Sequence, residues 1–132
     1  MRRIVLDTSA VMTFFENRSG SEKVEELIKK TMDGKAELMM SMINWGEVYY
    51  SVWRARGKDV AEAKLQFLAQ IPVEVVAPDA ELTKLAASYR AERKLPYADC
   101  FAAALAKMRQ AEVLTADADF AAIEDEVEVS RL

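Results

Sequence analysis

Arg3-Ile4-Val5-Leu6-Asp7-Thr8-Ser9-Ala10 is the stretch from which the fold is read. Ile4, Val5 and Leu6 are apolar at consecutive positions, which predicts a strand buried on both faces, as at the centre of a parallel sheet. Asp7, Thr8 and Ser9 follow, and each can accept a hydrogen bond from the free N–H groups of a first helical turn. Asp7 therefore belongs where a central strand hands over to a helix, at the carboxyl edge of the sheet. In open α/β folds ligands bind at that edge.

Outward from this point the chain alternates strands and helices. A short helix over Ala10–Glu16 and a turn lead to a second helix ending near Met32, with Ser19 or Ser21 as its cap. Asp33-Gly34 ends that helix. A strand over Glu37–Ser41 precedes a long helix to about Arg56, stopped by Gly57. Asp59 is read as the cap of the next helix, to about Gln70. Val73–Val76 is a third strand, and Pro78-Asp79 opens a helix to about Arg93. Leu95-Pro96 breaks the chain before an Ala-rich helix over Tyr97–Arg109. Glu112–Thr115 is a fourth strand, Asp117–Ile123 a turn with one helical turn, and Val127–Ser130 an edge strand. This alternation predicts a three-layer α/β/α fold with a mostly parallel sheet of about five strands, in an order such as 3-2-1-4-5. Residues 1–132 read as one domain, since the length suits one core.

Composition narrows the chemistry. The chain is 52% hydrophobic and 30% charged, the range of a globular protein. No apolar run approaches the roughly 20 residues that cross a bilayer, and the stretch after Arg2 and Arg3 is too short for a signal peptide. One cysteine excludes an internal disulfide and a thiolate-rich zinc site. The expected compartment is the cytoplasm, with no membrane partner. The chain has no histidine, which removes histidine triads and imidazole acid–base pairs. Hydrolytic chemistry must then rest on carboxylates, hydroxyls, lysine or a bound ion. At a net charge of −4 the chain as a whole does not attract polyanions, so local cations or metals must do so.

Four acids stand out, and each has an ordinary reading. Asp7 can be a helix cap. Glu47 points away from the stripe of Trp45, Val48, Tyr49 and Val52 and can be a solvated glutamate, although Ile43 and Tyr50 make its side of the helix unusually apolar. Asp99 complements the dipole of its own helix. Asp117, like Asp119 beside it, can belong to a turn. Their convergence argues otherwise. A helix after a parallel strand begins at the carboxyl edge, and so does a helix feeding one, which places Glu47 and Asp99 there with the strand ends at Asp7 and Asp117. Two carboxylates about 5 Å apart repel by about 3 kcal/mol at an effective dielectric of 20, so such a cluster takes up protons or binds cations. Oxygen ligands alone suit Mg²⁺ or Mn²⁺, ions that activate water against phosphorus.

Together the strings IVLDTSA, SMINWGEV, LPYADCFAAALA and VLTADADF resemble the PIN-domain nucleases, most closely the VapC-type toxins of toxin–antitoxin modules. The resemblance covers essentially the whole chain. It implies a divalent-metal-dependent endoribonuclease, a toxin that is silenced by a cognate antitoxin protein and forms a homodimer. Asp7, Glu47, Asp99 and Asp117 match the family's acidic quartet, with Asp7, Asp99 and Asp117 given to the metal. Asp119 matches an auxiliary acid, Thr8 and Thr115 supporting hydroxyls, and Asn44 a polar residue ahead of the glutamate. Cations for RNA capture are sought in Arg54, Arg56 and Lys58, or in Arg90, Arg93 and Lys94, all of which can equally be solvated helix ends. Trp45, Trp53, Tyr49 and Tyr50 offer base stacking, or else core and a dimer face. Two other classes compete. Haloacid-dehalogenase-type phosphatases need a second acid where Ser9 stands, and phospho-accepting receiver domains need an acidic pair that is missing. The third reading is a catalytically silent interaction module.

Overall fold

The computed structural model describes residues 1–132. Its elements are β1 (Arg2–Leu6), α1 (Thr8–Phe15), α2 (Ser21–Met32), β2 (Ala36–Ser41), α3 (Met42–Arg56), α4 (Lys58–Gln70), β3 (Val73–Val76), α5 (Ala80–Glu92), α6 (Tyr97–Arg109), β4 (Glu112–Thr115), a 3-10 helix (Ala118–Ile123) and β5 (Val129–Arg131). The five strands form one sheet in the order β3-β2-β1-β4-β5, and every pairing is parallel. Alternate residues of β1 feed the two cores. Ile4 and Leu6 pack with α1 to α4, and Val5 packs with α5 and α6.

Strand order decides how the paired helices lie, which the sequence alone does not. The chain steps β1 to β2 to β3 in one direction, then doubles back to β4. Right-handed crossovers therefore place α1 to α4 on one face and α5 and α6 on the other. Reversal at β1 and β4 makes the gap between them the switch point of the sheet. Helix α6 is buried without interruption from Asp99 to Ala106, so it carries no amphipathic pattern. Its alanines let it lie close to the strands, and this brings the start of the helix to the sheet edge.

Three local expectations are corrected. Neither Ser19 nor Ser21 caps α2. Its N-cap is Gly20, in the left-handed region at φ 98°, and a Cβ there would meet Leu132 Cβ at 3.1 Å. Ser21 instead donates to Asn17 Oδ1. Asp59 lies in the first turn of α4 but does not cap it, because Gly57, at φ 92°, ends α3 and starts α4. The edge strand begins two residues later than expected, since Val127 N–H is bonded to the carbonyl of Ile123 in the preceding turn. No helix is long and apolar enough to cross a membrane.

Candidate metal centre

The carboxyl edge of the sheet opens into a cleft of about 570 Å³ whose lining includes Asp7, Thr8, Glu47, Asp99 and Asp117. Asp7 ends β1 and caps α1, accepting from Ala10 N–H at 2.8 Å. It is 1% exposed. Thr115, at the end of β4, donates its hydroxyl to Asp7 Oδ2 at 2.6 Å, and the Ser9 hydroxyl lies 2.8 and 2.9 Å from the two Asp7 oxygens. Burial pushes the Asp7 carboxyl above the ordinary range, and the bonds from Thr115, Ala10 and Ser9 oppose the shift. The hydroxyls are themselves braced: Ser9 Oγ accepts from Ala116 N–H and Thr115 Oγ1 from Asp117 N–H.

Glu47 lies nearly two turns into α3 and turns toward the cleft. Thr8 donates to its Oε1 at 2.6 Å and Tyr50 to its Oε2 at 3.3 Å. Asn44, one turn earlier, is fully buried. Its amide nitrogen reaches Thr8 Oγ1 (3.1 Å), the Ala98 carbonyl (3.3 Å) and Glu47 Oε1 (3.4 Å). Its Oδ1 is buried without a partner. Reversing the amide would set that oxygen against the Ala98 carbonyl and the Glu47 carboxylate, so the nitrogen faces the site.

Asp99 is the most perturbed of the acids. It occupies the first turn of α6, 7% exposed, and its pKa is pushed up to about 8. Burial is the main cause, followed by the charges of Asp7, Asp117 and Glu47. Asp117 caps the 3-10 helix by accepting from Asp119 N–H at 2.9 Å. One oxygen each from Asp99, Asp117 and Asp119 lie within 4.8 Å of one another. Asp119, taken from sequence as auxiliary, thus stands in the convergent set, whereas the Asp7 oxygens are surrounded by protein donors. A buried carboxyl beside like charges, in an all-oxygen set without histidine or cysteine, fits a hard divalent cation.

The quartet and its supporting residues Thr8, Asn44 and Thr115 therefore come together. Ser9 joins the site without having been expected there, although a hydroxyl two residues beyond an acid in a first helical turn is a signal for that contact. Met12, Glu16 and Arg18 are further additions, lining the cleft from α1 and the turn beyond. The six candidate cations separate. Arg93 is tied to both carboxylate oxygens of Asp125 and to the Ala122 carbonyl. Arg54 lies over Tyr50 and Lys58 over Trp53, while Arg56 lines a small apolar recess with Phe15 and Val52. Arg90 and Lys94 share a groove with Asp119. Of the aromatics, Trp45 and Tyr49 stack at 6.4 Å and Tyr49 meets Trp53 edge-on, partly exposed along α3.

The fold is shared with solved structures at low sequence identity. VapBC2 from Rickettsia felis, bound to a promoter DNA fragment, matches with a TM-score of 0.77 at 19% identity over 98% of each chain. VapC20 from Mycobacterium tuberculosis, a toxin that cleaves the sarcin-ricin loop, matches at 0.70 and 20% identity over 90% of this chain and 93% of that one. VapBC-5 from the same organism matches at 0.67 and 24% identity, over 100% and 98%. Curated protein sequences give no significant match. A family model described as the PIN domain matches residues 4–126. On that match, and with the acidic edge it encloses, the chain belongs to the PIN domain family.

Proposed function

We propose that this chain is a divalent-metal-dependent endoribonuclease, the VapC-type toxin of a toxin–antitoxin pair, and that residues 1–132 act as one nuclease domain. The observation that carries the reading is the convergence of Asp99, Asp117 and Asp119, one oxygen each within 4.8 Å of the others, at the carboxyl edge of a PIN domain. Asp99, Asp117 and Asp119 would hold the ion, with Asp7 beside them at the end of β1. Mg²⁺ or Mn²⁺ bound there would ease deprotonation of a water into a nucleophile for phosphorus and would neutralise charge on the phosphodiester. Thr115 and Ser9 keep Asp7 in one orientation. Thr8 and Asn44 do the same for Glu47, which orients the attacking water and takes its proton at a carboxylate oxygen. Hydrolysis by water leaves a 5′-phosphate and a 3′-hydroxyl, since no imidazole is available to direct a 2′-hydroxyl attack.

The fold likeness to VapBC complexes supports a cognate antitoxin as partner. A homodimer as the working form is proposed from the family resemblance, with the partly exposed Trp45, Tyr49, Tyr50 and Trp53 of α3 as the face offered for it. The phosphatase reading loses ground because the hydroxyl of Ser9, where a second acid would stand, is engaged with Asp7.

Purified protein is incubated with RNA and Mg²⁺ or Mn²⁺, beside an Asp7→Asn variant and a chelator control. Cleavage that needs both the ion and Asp7, with 5′-phosphate ends, is expected. A phosphorylated Asp7, or intact RNA with every ion, would reject the proposal.

A further inference from the structure

The acid cleft repels the substrate it is proposed to cut. Asp7, Glu47, Asp99, Asp117 and Asp119 gather around it, and one or two divalent ions offset only part of that charge. A nucleic acid strand needs cations beside the cleft, and most of the chain's cations already have partners, including Arg18 of the cleft lining, which pairs with Glu16. Arg2, Arg3, Arg18, Arg93, Arg109 and Arg131 each pair with a carboxylate. Arg54 and Lys58 lie on aromatic rings. Arg90 and Lys94 enter no ion pair, and they line a separate concavity of about 310 Å³ with Leu95, Pro96 and Asp119.

That concavity borders the cleft. Pro96 lines both, and Asp119 belongs to the convergent carboxylates. Its floor is firm, because Leu95 is 1% exposed and Pro96 fixes the backbone before α6. Arg90 lies in the last turn of α5 and Lys94 two residues past its end. The partial negative charge of a helix end favours cations there whether or not a ligand is bound. The dipole does not account for an open groove between these cations and a metal-site acid.

We infer that Arg90 and Lys94 form a phosphate subsite for single-stranded RNA, holding the backbone phosphate next to the scissile one on the Asp119 side. The inference rests on the ribonuclease reading and names where its substrate runs. A single strand suits the site because a flexible backbone can follow two concavities that adjoin at Pro96. The subsite contributes charge and position and takes no part in bond breaking.

Binding and turnover are measured separately. A fluorescent single-stranded RNA is titrated against Asp7→Asn protein, in which turnover is blocked, with and without Arg90→Ala and Lys94→Ala. The pair should weaken binding by about tenfold at 0.1 M salt and lower the slope of log affinity against log salt by about 0.7 for each phosphate that is no longer neutralised. In the protein with Asp7 intact, the same pair should raise KM with kcat unchanged. Substituting phosphates one at a time by methylphosphonate should then reveal one position where only protein retaining Arg90 and Lys94 loses affinity. Lys35→Ala with Lys84→Ala is the control for general surface charge. Unchanged binding, an equal loss in the control pair, or equal losses at every phosphate position would overturn the subsite. Absence of cleavage by the unmodified protein would instead reject the nuclease reading, and the binding arm would still decide the groove.

Discussion

Replacing Asp99 by asparagine keeps the shape of the side chain and removes its charge, and the expected consequence has opposite signs for stability and for metal binding. The pKa of Asp99 is about 8 in the folded protein against an ordinary value of 3.8 in the unfolded chain. The folded state therefore holds the extra proton, and stability is lost as pH rises from 3.8 through about 8. At pH 7 the cost of keeping that carboxyl protonated is about 4 kcal/mol, and at pH 4.5 about 1 kcal/mol. Neighbouring acids share the repulsion, so Asp99→Asn should stabilise the ion-free protein by about 2 to 4 kcal/mol at pH 7. At about 3–5 °C per kcal/mol for a domain of this size, the melting temperature should rise on the order of 10 °C. The assay is thermal unfolding of chelator-treated protein at pH 4.5 and pH 7, followed by titration with Mn²⁺. The gain should be far smaller at pH 4.5, and Mn²⁺ should stabilise the unsubstituted protein much more than the variant. A variant that is destabilised at pH 7, or equally stabilised at both pH values, would refute the argument that Asp99 is held against its preferred charge state.

Thr115→Val removes the hydroxyl that does most to hold the Asp7 carboxyl down. It should cost about 1–3 kcal/mol in urea unfolding, and it should move the acid limb of the pH–rate profile to higher pH. Asn44→Ala frees Thr8 and Glu47 from their shared amide, and kcat should fall by about 10- to 100-fold in single-turnover cleavage with the fold intact by circular dichroism. Cys100 is fully buried, with its thiol pushed up to about 11 chiefly by burial. It should resist a thiol reagent at pH 8 in the native protein and react once per chain in denaturant.

How much of the fold and the site is legible in the sequence depends on whether the signal is local. The uninterrupted Ile4-Val5-Leu6 run announces a central strand, and Asp7 announces the helix after it, because both follow from single-residue preferences. The sheet order is legible only as one doubly wound possibility, because the connection rules prune the orders without choosing a single one. Gly20 escapes a sequence reading because a left-handed backbone leaves no compositional trace beyond the glycine itself, while the serines beside it carry a strong capping preference. The periodicity of α3 hides Glu47. Its neighbours suggest both solvent and burial, and only the bond from Thr8, on another element, resolves the choice. The cations fail for the same reason in reverse: Arg93 and Arg90 look alike in sequence, and Asp125, distant along the chain, claims one of them.

Four of the acids divide by what the protein provides to each, and that division carries the proposed chemistry. Asp7 receives hydroxyls from Ser9 and Thr115 and an N–H from Ala10. Glu47 receives hydroxyls from Thr8 and Tyr50 and the Asn44 amide. Asp117 keeps one cap bond from Asp119 N–H. For Asp99 every influence acts to raise the pKa, and its nearest charged groups are other carboxylates. A site built only for stability would have offered Asp99 a donor or replaced it with a neutral residue, since burying an uncompensated charge is costly. Donors surround Asp7 and Glu47 and none reaches Asp99, which is the arrangement that the proposed cation would answer.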